Sequence, residues 1–213
     1  MQPRRNDKDP MPRRTHRSIF IDEMLVIAAM VVMITGSGWV TIVRGPGIEQ
    51  EILACRLSGY GALGFLAISI LLGPLLRTAT WIGMRFNGMT SVRISKNTGI
   101  ASAIVALVHS VIAVAGYLQG NWRELFDYSY LYAGLFALVI LLLLLVFSLK
   151  PLMSRVGWEL WKPTFRLSFA AAILVLCHLL YAPFASVPWT LSLYGCALAI
   201  FLFRFLPSRR TPP

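Results

Sequence analysis

His109 and His178 are the two histidines of this chain that lie outside its basic N-terminal tail, which holds the third, His16. Both fall in the middle of long uncharged runs, Asn97–Trp122 and Leu167–Phe203. An imidazole surrounded by hydrocarbon is costly unless something binds it, so each is a candidate site. His109 lies twelve residues beyond Asn97, about 18 Å of helix, and His178 lies fourteen beyond Thr164, about 21 Å. Helices running the same way would therefore hold the two rings at nearly one depth. Imidazoles so placed could ligate one metal from opposite sides. Zinc would want a tetrahedral set of N, S or O ligands, and no Asp or Glu falls at that depth. A haem iron needs two axial ligands, so the expectation is one type b haem between His109 and His178. The competing reading is that each imidazole is hydrogen-bonded to a neighbouring serine or carbonyl and serves only helix packing.

The elements that must position these rings are membrane helices. The chain has 213 residues, of which 57% are hydrophobic and 14% charged, unlike a soluble domain. Uncharged runs cover Met24–Val43, Leu57–Leu76, Asn97–Trp122 and Tyr128–Leu149, each long enough to cross about 30 Å of hydrocarbon. The run Leu167–Phe203 is too long for one crossing and is broken at Pro183 and Pro188, where missing backbone donors favour a turn. The expectation is an all-α, six-helix membrane bundle, residues 19–206, with spans near 24–43, 54–76, 97–119, 129–149, 164–183 and 188–206. A basic tail (1–18) precedes it and a short one (207–213) follows.

A net charge of +11 on a soluble protein would suggest nucleic acid, but here its distribution reads as orientation and no nucleic-acid partner is expected. The N-terminal tail, the second and fourth loops and the C-terminus carry 17 of the 20 basic residues, which puts both termini in the cytoplasm. All six tryptophans lie near predicted helix ends, where the indole prefers headgroup level. The first span is read as a retained helix, because about 20 apolar residues exceed the usual core of a cleaved signal. Cys55, Cys177 and Cys196 fall inside predicted spans without metal-ligand spacing, and are read as small packing residues.

The helix faces bearing the histidines are lined with small residues: Ser102, Ala106, Ala113 and Gly116 around His109, Ala171 and Ala182 around His178. They leave room for a flat macrocycle, or serve close helix packing. Arg56, near the outer end of helix two, is a candidate partner for a haem propionate, with snorkelling to the interface as the alternative.

The pattern Gly59-x-x-Ala62-Leu63-x-Phe65-Leu66, followed by Leu71, Pro74-Leu75 and Arg77, resembles a segment of ferric-reductase-like transmembrane domains. Lys96 and Gly99 before His109, and Trp161, Phe165, Arg166 and Leu167 before His178, are similar to further segments of that family's MsrQ/YedZ branch, haem-binding membrane subunits of periplasmic methionine sulfoxide reductases. The resemblance runs from about Leu57 to Pro183. It implies haem b held by His109 and His178. Family members with two haems use two histidines on each of helices three and five; here the inner positions are Lys96 and Phe165, so a second bis-histidine haem is excluded by counting. FMN is sometimes associated with this branch, and the missing inner histidine counts against carrying it over.

Three functional readings follow. The leading one is an electron-transfer subunit in a bacterial inner membrane. By resemblance its donor is quinol or a flavin reductase, and its acceptor a periplasmic molybdopterin enzyme that reduces methionine sulfoxide. The second is a component of a metalloreductase acting on ferric or cupric complexes; no Gly-rich nucleotide fingerprint accompanies it in this sequence. The third is a haem-free scaffold or transporter.

Overall fold

The computed structural model describes residues 16–43, 47–81, 88–149 and 166–183, together with 192 and 195. Apart from 192 and 195, the expected sixth span lies outside the described residues, as do Phe165, Trp158 and Trp161. Five α-helices occur among those described: α1 (His16–Val43), α2 (Ile48–Trp81), α3 (Gly88–Ile112), α4 (Ser129–Phe147) and α5 (Leu167–Tyr181). No strand accompanies them among the described residues. Glu49–Leu76, Val92–Tyr117 and Ser129–Phe147 are long and apolar enough to cross a bilayer, and Glu23–Trp39 and Leu167–Tyr181 are shorter apolar helices.

These segments are helical because a chain in hydrocarbon must satisfy its own backbone hydrogen bonds. α2 and α3 extend past the apolar stretches that define them in sequence, through Ile48–Leu53 and Gly88–Lys96, where polar residues continue the helix. Pro74 is carried inside α2. α3 does not end as an α-helix. Four residues after His109 it widens into a π turn, Ala113–Tyr117, and it closes through Gln119 and Gly120 at φ 49° and 80°. Such turns tend to mark functional positions, since the extra residue re-aims the side chains that follow.

The helices pack as two hairpin pairs, α2 with α3 and α4 with α5, and α1 lies against the first. Small residues let the backbones approach. Ala62, Phe65, Ala101 and Val105 form one core under α1, while Leu66, Ala103, Leu141 and Ala171 form a second where the two pairs meet. Serines lock the first pair. Ser102 donates to the Ala62 carbonyl at 2.8 Å, and Ser69 and Ser95 each donate to the other's carbonyl, at 2.7 and 2.6 Å. Large apolar side chains such as Leu25, Val32, Val111, Phe136 and Ile173 point outward, as expected of surfaces facing lipid.

Candidate functional site

α3 delivers His109 and α5 delivers His178 to one place. Their ring centroids are 6.3 Å apart and their planes cross at 82°. Both rings line a cavity of about 340 Å³ set between the hairpin pairs, walled mainly by aliphatic side chains. Each is half-buried, because one side of it faces this space.

Hydrogen bonding decides which nitrogen each ring offers. His109 Nδ1 lies 2.9 Å from the Cys55 carbonyl oxygen, and His178 Nδ1 lies 2.8 Å from that of Tyr130. A carbonyl can only accept, so both Nδ1 atoms carry the proton and both Nε2 atoms keep their lone pair. The Ser58 hydroxyl oxygen and the Cys55 thiol add contacts to His109 Nδ1 at 3.3 and 3.7 Å. Among the described residues neither Nε2 has a hydrogen-bond partner. A partnerless acceptor is poorly tolerated in an apolar setting, and Nδ1–H donation to a carbonyl is the usual support of a metal-ligating histidine.

The arrangement fits a haem iron. Two Nε2 atoms about 2 Å from one ion put their ring centres roughly 6 Å apart. A four-ligand ion is poorly served: among the described residues no group of three or more His, Cys, Asp or Glu could hold a metal. The small residues divide into two sets. Ser102, Ala106, Ala113 and Ala182 line the cavity, whereas Gly116 packs against Glu51 and Ala171 is sealed in the core between the pairs. Arg56 stands exposed at the cavity wall on α2. Lys96 lies elsewhere, beside a second space of about 40 Å³ with Ser69, Ser95, Ser148 and Ser168.

The profile of the family described as ferric reductase like transmembrane component matches residues 58–177, more than half the chain. The chain belongs to this family. It is an integral, multi-pass membrane protein. A relative from Deinococcus radiodurans, the protein-methionine-sulfoxide reductase heme-binding subunit MsrQ, is 28% identical over 143 residues, covering 66% of this chain and 67% of the relative. The matched region of the ferric-reductase-like domain contains Ser58, Gly59, His109 and Gly134 and ends one residue before His178.

Sequence reasoning missed what stands behind the rings. A Cβ on Gly59 would lie 3.0 Å from His109 Cε1, and one on Gly134 would lie 2.8 Å from His178 Nδ1. Gly134 is the one glycine of α4, an otherwise leucine-rich helix. That isolation was a signal. Tyr130 packs its ring 5.8 Å from that of His178 as well as lending its carbonyl.

Proposed function

We propose that this ferric-reductase-like protein is a membrane electron-transfer subunit that holds one type b haem between His109 and His178. The observation that carries the reading is the pair of rings 6.3 Å apart in one apolar cavity, each with its Nδ1 turned to a backbone carbonyl and its Nε2 left to the cavity side. The name of the Deinococcus radiodurans relative, a heme-binding subunit, supports it. When bound, the haem supplies a one-electron Fe(III)/Fe(II) couple. The protein supplies the rest. The carbonyls of Cys55 and Tyr130 hold both imidazoles in the Nδ1–H tautomer and raise the basicity of Nε2. The aliphatic walls keep water away. Arg56 at the cavity wall is suited to pair with a propionate carboxylate.

In the full reading, six helices cross a bacterial inner membrane with both termini in the cytoplasm, and the histidine pair lies in the outer half. Quinol arriving laterally is the favoured donor, with a flavin reductase as the alternative, and a periplasmic molybdenum-containing methionine sulfoxide reductase is the acceptor. The basic-residue distribution supports the orientation, and the name of the matched relative supports a methionine sulfoxide reductase as the partner.

The test is a reduced-minus-oxidised spectrum with haem quantification on the wild type, His109→Ala and His178→Ala. One haem per wild-type chain, lost in both variants, is expected. Folded wild-type protein that stays colourless with ample haem supply would sink the reading.

A further inference from the structure

The two histidines meet their helical neighbours in the same way. In α2, Cys55 offers its carbonyl to His109 and Gly59 follows four residues later. In α4, Tyr130 offers its carbonyl to His178 and Gly134 follows four residues later. The offset has a physical meaning. In an α-helix the carbonyl of residue i receives the N–H of residue i+4, and the side chain of i+4 leans back over that turn. A side chain there would cover the carbonyl's free lone pair. Glycine uncovers it, and the imidazole of the adjacent helix takes the place.

We propose that Gly59 and Gly134 are positioning residues that set the rotation of the two axial imidazoles, each by exposing the carbonyl four residues before it. This rests on the reading of His109 and His178 as haem ligands. Because each ring is fixed by its own carbonyl, the angle between the ring planes, 82°, belongs to the protein and not to the bound group. Near-perpendicular axial imidazoles leave the iron d orbitals that carry the unpaired electron nearly equal in energy, which gives ferric low-spin haem a strongly anisotropic electron paramagnetic resonance signal. The glycines thereby act on the electronic character of the site without touching the iron.

The two positions differ in severity. A methyl at Gly134 meets His178 Nδ1 at 2.8 Å and Cε1 at 3.1 Å, so the ring must move. A methyl at Gly59 meets His109 Cε1 at 3.0 Å and Nδ1 at 3.2 Å, which a small ring rotation relieves. Gly64, also on α2, has no atom within 4 Å of its would-be Cβ and serves as the control. Alanine is the better helix former, so propensity alone predicts a gain from all three substitutions.

The experiment compares purified wild type, Gly59→Ala, Gly134→Ala and Gly64→Ala by haem affinity and by the resonance spectrum of the ferric form. The expected order of disturbance is Gly134→Ala, then Gly59→Ala, with Gly64→Ala like wild type. Gly134→Ala should lose about tenfold or more in haem affinity, the scale of a lost ligand-orienting bond, with its signal moving away from the strongly anisotropic form. Should Gly134→Ala not yield folded protein, the milder Gly59→Ala carries the test by the same spectral shift. Wild-type affinity and an unchanged spectrum in the glycine variants that fold would overturn the proposal while leaving the ligand reading intact. Equal loss in Gly64→Ala would also overturn it, as a general effect on α2. Wild-type protein that takes up no haem would overturn both.

Discussion

His109 faces His178 across the seam between the α2–α3 and α4–α5 pairs, with ring centroids 6.3 Å apart and planes crossed at 82°. The two rings belong to different hairpins. A group bound by both joins halves of the bundle that also meet through aliphatic contacts such as Leu66 with Leu141 and Ala171.

The first consequence concerns stability. A ligand bound only by the folded state stabilises it by about 2.7 kcal/mol at a hundredfold excess over its dissociation constant. Haem-loaded wild type should therefore melt at a higher temperature than the same protein from haem-starved cells, and His178→Ala should melt alike from both sources. Thermal unfolding in detergent measures this; an equal melting temperature for loaded and starved wild type would contradict it.

Ser102 tests the scaffold apart from the ligands. Its hydroxyl donates to the Ala62 carbonyl at 2.8 Å and is fully buried. Ser102→Ala should lower stability by about 1 kcal/mol, the usual worth of such a bond between membrane helices, because the Ala62 carbonyl keeps its helical partner. Haem content should not change. A folded Ser102→Ala protein without haem would assign the serine a direct part in binding.

Arg56 separates propionate pairing from interfacial anchoring. If its guanidinium holds a carboxylate at the cavity wall, Arg56→Gln should release haem to a soluble scavenger about tenfold faster, the effect of losing one charge-assisted bond of roughly 1.5 kcal/mol. Snorkelling predicts an unchanged release rate. Stopped-flow transfer distinguishes the two.

By the sequence resemblance, Lys96 and Phe165 stand where two-haem members of the ferric-reductase-like family have their inner histidines. Beside Lys96 there is a space of about 40 Å³, against about 340 Å³ around His109 and His178. Restoring the ligands with Lys96→His and Phe165→His should leave haem at one per chain, since the ligands return but the room does not. Pyridine haemochrome quantification against protein concentration reads the ratio, and a value near two would contradict the expectation.

Part of this was legible in the sequence. Apolar length and the scarcity of charge pointed to membrane helices, and counting residues from helix ends put His109 and His178 at similar depth. What stayed hidden was carried by the backbone. The partners of both Nδ1 atoms are carbonyls of Cys55 and Tyr130, 54 and 48 residues away along the chain. No side-chain type signals a carbonyl that has been left uncovered. Gly59 and Gly134 are visible as letters, but which face of their helices meets a histidine depends on packing. The π turn at Ala113–Tyr117 was equally unreadable, since the widened hydrogen bonds leave no periodic trace in five apolar residues. The small-residue faces left two readings open, and for Gly116 and Ala171 it is packing that holds, because helix neighbours as well as ligands select small side chains.

Each carbonyl and the histidine it holds lie within one hairpin, and this bears on how the protein is made. α2 and α3 leave the ribosome before α4 and α5, so the His109 half can be inserted and its ring oriented while the His178 half is still being synthesised. Neither half offers more than one ligand. If the two histidines hold a haem iron as proposed, its capture waits until the second hairpin docks, and a chain truncated before α5 would reach the bilayer with a well-aimed imidazole and nothing to close over it.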